Sequence, residues 1–166
     1  MRKAIFSDLD KIKEIVNDAK KSLKDDGVDQ WQRGVPDMAS LARQISRDSA
    51  YVYELDENTM AYAYLSSDYE PTYASVANDM KRNNPYTIHT FCVNKNTKEL
   101  GVATNFMKDI IKRAREDGKD SLRIDTHEDN FKMRGLIEKM GFEFRGVIYI
   151  RDFDITAQRL AYELVL

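Results

Sequence analysis

Apolar residues recur along this chain with two different spacings, which divide it into predicted helices and strands. Spacings of three and four residues indicate one buried helix face, and alternation of apolar and polar residues indicates a half-buried strand. The helical spacing predicts helices that start near Asp8 and Asp37 and helices over 102–116 and 130–140. The first helix follows a short predicted strand, Arg2–Phe6, and ends near the sequence KDDG.

The alternating pattern predicts the remaining strands. Residues 50–66 form two alternating runs joined by the sequence DEN, which is typical of a β-hairpin. Further strands are predicted over 86–94, 121–127, 142–150 and 155–166. Residues 67–85 are polar and contain two prolines, so we leave their structure open apart from a partly helical stretch. The order of elements predicts one mixed α/β domain over 1–166.

Composition narrows the class of protein. At 166 residues, one domain buries roughly 70% of the surface of its unfolded chain, which suffices for a core without disulfides. The net charge of −2, from 26 basic and 28 acidic residues, argues against a nucleic-acid-binding protein. The single cysteine, Cys92, excludes an internal disulfide and fits a reducing compartment. The N-terminal segment has no apolar stretch typical of an export signal, and runs such as MAYAYL are too short to cross a bilayer. We therefore expect a cytoplasmic protein.

The segment TIHTFCVNKNTKELGVATNFMKDIIKRA, residues 87–114, carries the candidate chemistry. Gly101 stands where a loop turns into a helix, where backbone N–H groups and the helix dipole favour an anion such as phosphate. The segment lacks the Gly-Lys-Ser/Thr of a nucleotide-binding P-loop and the three spaced glycines of a dinucleotide fingerprint. The alternative is that Gly101 only starts a helix.

In this segment, Lys98–Ala103 resembles the acetyl-CoA motif Arg/Gln-x-x-Gly-x-Gly/Ala of the GNAT superfamily of N-acetyltransferases. Further segments resemble that family in the same order. They are the N-terminal MRKAIFSDLDKIKEIVNDA, the strand end RIDTHEDN and the segment NFKMRGLIEKMGF. The QWQRGVP loop and the closing strands resemble a bacterial branch of the family whose acceptors are mostly unassigned. Lys98 departs from the motif's Arg or Gln.

The resemblance implies a mostly antiparallel central sheet with flanking helices, in which the strands 86–94 and 121–127 splay apart. It implies that acetyl-CoA is the co-substrate and that its pantetheine lies between those strands, with no metal. Backbone N–H groups near Phe91–Val93 would polarise the thioester carbonyl, an oxyanion-type role. Cys92 is one of these contacts near Phe91. The other implied cofactor contacts are Lys98, Glu99, Leu100, Gly101, Val102, Ala103, Thr104, Asn130 and Met133.

The implied reaction is direct attack of a neutral primary amine on the thioester. Asn130, which the resemblance makes a candidate catalytic residue, would contact the cofactor near its thiol end. His89 is the candidate base because histidine titrates near neutrality. A water chain to Asp125 or Glu70 is the alternative, and a hydrogen-bonded structural role for His89 is another. The tyrosine that often acts as general acid in the family corresponds to Ile137.

Two tyrosines on the closing strands could replace that acid, Tyr149 and Tyr162. Cys92 is expected to be a small buried apolar residue. One histidine, His127, near scattered carboxylates falls short of a metal-ligand set.

Trp31, the single tryptophan, lies in the polar loop DQWQRGVPD, residues 29–37. The resemblance implies that this loop covers the acceptor side of the cleft, so that Trp31 and Gln32 contact the acceptor together with Asp125 and Tyr149. Alternatively, Trp31 plugs the space between helices or meets another protein.

The acceptor itself, a small-molecule or peptide amine, stays open, as does a homodimer; no nucleic-acid or membrane partner is expected. Two rival functions are kept, an acyl-CoA-binding or sensing module with little turnover and a partner-binding domain that uses Trp31.

Overall fold

A computed structural model describes residues 1–97, 100–152 and 154–166 of the chain. Its seven strands are β1 (Arg2–Lys3), β2 (Ala50–Leu55), β3 (Asn58–Ser66), β4 (Pro85–Val93), β5 (Ser121–Thr126), β6 (Glu143–Asp152) and β7 (Ile155–Val165). Its four α-helices are α1 (Leu9–Asp25), α2 (Met38–Ser46), α3 (Val102–Glu116) and α4 (Phe131–Lys139). Short 3-10 helices occur at Phe6–Asp8, Pro71–Asp79 and Lys95–Thr97.

The seven strands form a sheet in the order β1-β2-β3-β4-β5-β7-β6. The β1–β2, β2–β3, β5–β7 and β6–β7 pairs are antiparallel, and β4 pairs with β5 in parallel. A mixed, mostly antiparallel sheet with flanking helices is the predicted fold class, which is thereby confirmed.

The N-terminal strand is shorter than predicted. β1 ends at Lys3, and a 3-10 turn begins at Phe6, the last residue of the predicted strand. The cause is Asp8, whose carboxylate accepts a hydrogen bond from Ile5 N at 2.9 Å and two from the Arg2 guanidinium at 2.7 and 2.9 Å. These bonds turn the chain back on itself before α1 begins.

The described residues form two compact units. The first contains Met1–Leu65 and His89–Asp109, and the second contains Ser66–Ile88 and Ile110–Leu166. In the first unit, the apolar faces of α1 and α2 pack against β2, β3 and β4. Its core comprises Ala4, Ile12, Ile15, Val16, Leu41, Ile45, Ala50, Val52, Tyr62 and Cys92. In the second unit, the 3-10 segment packs on β6 and β7 around Tyr73, Val76, Ile148 and Ala161.

The predicted hairpin at 50–66 is confirmed. β2 and β3 pair from Ala50–Tyr64 to Leu55–Asn58. The turn residues Asp56 and Glu57 have φ values of 50° and 64°. The tight turn whose twist matches that of paired strands requires positive φ at both central residues. Glycine accepts this conformation most readily, and Asp and Asn tolerate it.

The parallel ladder between β4 and β5 lies in the second unit and is short. It runs from Pro85–Ser121 to Ile88–Ile124. β4 continues beyond the ladder to Val93, and β5 continues to Thr126. The end of the ladder at Ile88 coincides with the start of the part of β4 that belongs to the first unit.

Candidate active site

The loop after β4 delivers the chain to the start of α3 in the first unit. Thr97 Oγ1 donates to Asn94 O at 2.6 Å, and Leu100 N donates to Thr97 O at 3.1 Å. Gly101 then adopts φ +65°, and its carbonyl accepts the first helical hydrogen bond, from Asn105 N at 3.0 Å. Lys98 and Glu99, two predicted cofactor contacts, lie outside the described residues.

Gly101 is required by conformation rather than by space. Among the described residues, a Cβ built on it would meet Asn105 Nδ2 alone, at 3.9 Å, an ordinary contact distance. The left-handed backbone is the reason that glycine suits the position. Gly101 and Leu100 are exposed, and the N–H groups of Val102 and Ala103 lie in the first turn of α3, where a helix has no internal acceptors for them. The described part of this loop can therefore hold an anion such as a diphosphate.

β4 changes its side-chain direction at Thr90, which has φ +53°. His89 stacks on Tyr64 of β3, with ring centroids 6.0 Å apart. Thr90, the next residue, accepts a hydrogen bond from Gln44 of α2, and Phe91 stacks on Phe106 of α3, with centroids 5.4 Å apart. Adjacent strand residues normally point to opposite faces, so the backbone at Thr90 breaks the alternation between the predicted base His89 and the predicted oxyanion donor.

A hydrogen-bonded chain of three side chains reaches Thr90 from the core. Tyr62 OH donates to Gln44 Oε1 at 2.8 Å, and Gln44 Nε2 donates to Thr90 Oγ1 at 3.2 Å. Tyr62 is fully buried, and burial raises the pKa of its phenol. The phenol therefore stays protonated and acts as the donor to Gln44.

Cys92 is buried in the core of the first unit, as predicted for a small apolar residue. Burial away from water raises the pKa of its thiol well above the ordinary value. A protonated thiol is a poor nucleophile, so the side chain serves packing. The predicted cofactor contact at this position concerns the backbone of Phe91–Val93.

In the second unit, Asp125 on β5 meets a buried phenol from the segment 71–79. Tyr73 OH donates to Asp125 Oδ1 at 3.1 Å. Tyr73 is 3% exposed, and its burial, followed by the charge of Asp125, raises the pKa of the phenol well above its ordinary value. The phenol therefore stays a donor, and Asp125 is held on one side by a fixed hydrogen bond. Glu70, the other carboxylate considered for a water chain, is half-buried just before this segment.

The remaining predicted site residues of the second unit differ in burial and in hydrogen bonding. Asn130 is the N-cap of α4, and its Oδ1 accepts a hydrogen bond from Met133 N at 3.2 Å. Tyr149 is 58% exposed on β6, whereas Tyr162 is buried. Ile137, at the position of the family tyrosine, is fully buried and forms part of the apolar face of α4.

Trp31 has one of the roles considered for it, packing on the core of the first unit. It is partly buried and packs against the core of the first unit, although its loop is otherwise polar. Its backbone has φ +65°, which is uncommon for a large side chain. Gln32 Nε2 donates to Gln30 O at 2.9 Å and to Lys20 O at 3.1 Å, so the Gln32 amide fastens this loop to α1.

Lys20 fixes the far end of the same loop. Its ammonium donates to Gly34 O at 3.0 Å and to Pro36 O at 2.6 Å. Partial burial lowers the pKa of Lys20. Trp31 is therefore carried by a loop whose two sides are both hydrogen-bonded to α1.

The described residues contain neither a cluster of metal ligands nor a membrane-spanning helix. No group of three or more His, Cys, Asp or Glu side chains within 1–97, 100–152 and 154–166 has the arrangement of a metal site. In the same ranges, none of the helices combines the length and apolar character needed to cross a membrane.

Comparison with known proteins identifies the family. A family model described as "Acetyltransferase (GNAT) family" matches residues 12–142. The chain belongs to the GNAT family of acetyltransferases. GNAT acetyltransferases use acetyl-CoA as the acyl donor, and the predicted co-substrate is thereby confirmed. No curated protein sequence matches the chain.

Solved structures share the GNAT fold over the full chain. A GNAT-family acetyltransferase from Streptococcus agalactiae has a TM-score of 0.88 and 24% identity, covering 99% of this chain and 94% of that one. An acetyltransferase structure from Staphylococcus aureus has a TM-score of 0.75 and 23% identity, covering 99% and 97%. YncA from Salmonella typhimurium, solved with its cofactor acetyl-CoA, has a TM-score of 0.71 and 18% identity, covering 99% and 92%.

Four residues that form the side-chain hydrogen bonds described above were not predicted from the sequence: Gln44, Tyr62, Thr90 and Tyr73. Gln44 is a polar residue beside the apolar stripe of α2, and Tyr62 stands in an apolar run. In a sequence pattern, the first position indicates only a surface residue and the second only a core residue. Thr90 carries no sequence signal for positive φ, because a β-branched residue favours an extended strand.

Proposed function

We propose that this GNAT protein transfers the acetyl group of acetyl-CoA to the nitrogen of a primary amine by direct attack within a ternary complex. The observation that carries the proposal is the left-handed Gly101 at the exposed start of α3. It supports binding of the cofactor diphosphate by the N–H groups of Val102, Ala103 and Thr104, with Leu100 at the rim.

Acetyl-CoA supplies an acyl group activated as a thioester. The amine nitrogen forms a bond to the acyl carbon, the carbon–sulfur bond breaks, and the electron pair leaves on sulfur. Backbone N–H groups of Phe91–Val93 stabilise the negative charge that develops on the acyl oxygen. His89 accepts the proton that the attacking nitrogen releases, and Asp125 or Glu70 acting through water is the alternative acceptor.

The departing sulfur needs little help. A thiol has a pKa of roughly 8.5, so its thiolate leaves without a proton, although general-acid assistance typically contributes about 10²–10⁴ in rate. The buried Ile137 provides no such group, and Tyr149 or Tyr162 stays a candidate. Ile137 is also the observation that favours the second candidate function, a protein that binds acyl-CoA with little or no turnover.

Four residues are proposed as acceptor contacts: Trp31, Gln32, Asp125 and Tyr149. Asn130 and Met133 are proposed as contacts of the cofactor. We further propose that the protein works as one domain in the cytoplasm on a small-molecule or peptide amine. A homodimer stays open.

Two measurements on the full chain test the proposal. Calorimetry with CoA should show saturable binding, and a ligand at 100 times its Kd should stabilise the fold by about 2.7 kcal/mol. Release of free thiol from acetyl-CoA should then depend on an added amine from a panel of amino acids, polyamines, aminoglycosides and peptides. Binding without amine-dependent thiol release would favour the binding module, and absence of binding would reject both candidates.

A further inference from the structure

We propose that Gln44 is a positioning residue that, together with Tyr62, holds the left-handed backbone of Thr90 and thereby fixes the two neighbouring residues on β4. This inference rests on the proposed function, because it gives the hydrogen-bonded chain Tyr62–Gln44–Thr90 a role in presenting His89 and Phe91. The residues of the chain come from β3, α2 and β4, and all belong to the first unit.

The starting point is an unfavourable backbone at Thr90. A β-branched residue with φ +53° is an outlier, because its side chain crowds the backbone in the left-handed region. Such a conformation persists where the surroundings impose it, and it concentrates at functional sites. Without an external hold, Thr90 would favour the extended conformation of the strand on either side of it.

The hold comes from α2. Gln44 Nε2 donates to Thr90 Oγ1 at 3.2 Å, across 46 positions of sequence. The amide cannot turn freely, because its oxygen accepts a hydrogen bond from Tyr62 OH at 2.8 Å. Tyr62 is fully buried in the core, so the chain of bonds is anchored at a rigid end.

The consequence of this hold is the break in alternation described above. His89 and Thr90 contact the side of the sheet that carries Tyr64 and α2, and Phe91 contacts Phe106 of α3. Relaxation of Thr90 to an extended backbone would turn one of its neighbours toward the other face. The proposed base and the proposed oxyanion donors would then be misdirected together. Misplacement of catalytic groups by about 1 Å can cost on the order of 10²-fold in rate.

The test compares Gln44→Met, which keeps the length of the side chain and removes both hydrogen bonds, with the double variant Gln44→Met/Thr90→Gly. Glycine adopts positive φ at little cost, so the double variant should keep the left-handed backbone at position 90 without the hydrogen bond from Gln44. We expect Gln44→Met to lower kcat at least about tenfold while KM for acetyl-CoA changes less than about twofold. The double variant should recover most of that loss.

A matched control and a readout independent of turnover complete the design. Ser46→Ala removes a hydroxyl on the same helix whose only described hydrogen bond is to Arg43 O, and its kcat should stay unchanged. Amide hydrogen exchange at Phe91 should accelerate in Gln44→Met and return toward the wild-type rate in the double variant. Thermal unfolding of every variant identifies loss of kcat that merely follows loss of fold.

Each result decides the proposal. Unchanged kcat and unchanged exchange in Gln44→Met would overturn it, as would a double variant no more active than Gln44→Met. If the wild-type protein transfers no acetyl group, the proposed function fails, and exchange at Phe91 in the two variants still shows whether Gln44 holds this backbone.

Discussion

Val76 lies directly over Gly146 of β6 in the second unit. A Cβ built on Gly146 would be 2.7 Å from Val76 Cγ1, which is closer than carbon atoms approach in folded proteins. Gly146 also has φ +141°, a conformation that side chains rarely adopt. Val76 belongs to the segment Pro71–Asp79, which carries Tyr73 to its hydrogen bond with Asp125. The missing side chain at Gly146 therefore allows this segment to pack on the sheet.

Gly146→Ala is expected to lower the free energy of unfolding by about 1–3 kcal/mol, because the added methyl group overpacks a closed contact at a strained backbone position. Urea unfolding measures the change. Gly118→Ala is the matched control, since Gly118 also has positive φ, +68°, but no atom of the described residues lies within 4 Å of the added Cβ. A loss no greater than that of Gly118→Ala would show that Val76 moves aside freely. Adding Val76→Ala to Gly146→Ala should recover part of the loss.

Gly101→Val is expected to abolish CoA binding while the fold persists. Valine at φ +65° is strained, so the start of α3 should rearrange and its N–H groups should lose their alignment on the diphosphate. Calorimetry with CoA measures the affinity. Gly27→Val is the control, because Gly27 follows the C-terminal end of α1 and has φ +76°, and in the described part of the chain no atom lies within 4 Å of its added Cβ. Equal CoA affinity in Gly101→Val and wild type would reject the diphosphate site.

His89→Ala is expected to lower kcat/KM by about 10²–10⁴, the usual contribution of a general base. The imidazole is the proposed acceptor of the proton that the attacking nitrogen releases, and alanine offers no acceptor in its place. Steady-state rates with the best acceptor amine are the measurement. His127→Ala, at the other histidine of the chain, should keep the wild-type rate. A rate unaltered by His89→Ala would transfer the role of base to Asp125 or Glu70.

Asp8→Asn is expected to destabilise the fold at neutral pH and to leave it unchanged in acid. The hydrogen bonds from the Arg2 guanidinium lower the pKa of Asp8 below its ordinary value, so its charged form binds more tightly in the folded state. The resulting stability is present above the unfolded pKa of about 3.9 and is lost as the pH falls through the lower folded pKa. Urea unfolding should show a deficit of about 1–3 kcal/mol at neutral pH, typical of a hydrogen bond to a charged group.

The control for this pH dependence is Asp10→Asn. Asp10 is exposed in the first turn of α1, two residues after Asp8. Its substitution should change the stability little at any pH. A deficit in Asp8→Asn that persists in strong acid would mean that packing, and not the charge of Asp8, holds the N-terminal turn.

Local signals in the sequence were sufficient for most elements. The predicted helix over 102–116 matches Val102–Glu116, and the hairpin and its DEN turn match β2 and β3. Periodicity, caps and turn residues act within a few positions of one another, so they are readable along the chain. The glycine at 101 is readable for the same reason, since one helix start decides its conformation.

Most of the missed features depend on partners far away in sequence. The segment 71–79 is a 3-10 helix that gains its place from Gly146 and β6, so its own polar sequence gave no firm prediction. Tyr73 meets Asp125 across 52 positions. The N-terminal strand is a local exception: β1 is cut short because Asp8 folds back onto Arg2, six positions away, whereas Arg2–Phe6 was predicted as a strand.

By itself, then, the sequence determined the order of helices and strands, the family motif at Gly101 and the acetyl-CoA chemistry that the family brings. Only the tertiary structure decided that Thr90 is left-handed, that Gln44 and Tyr62 reach it, and that Trp31 packs on the core. The physical reason is the distance along the chain between the residues that interact. Periodicity and glycine conformation are set by neighbours in the chain, whereas a strained backbone and a buried hydrogen bond are set by side chains that folding alone brings together.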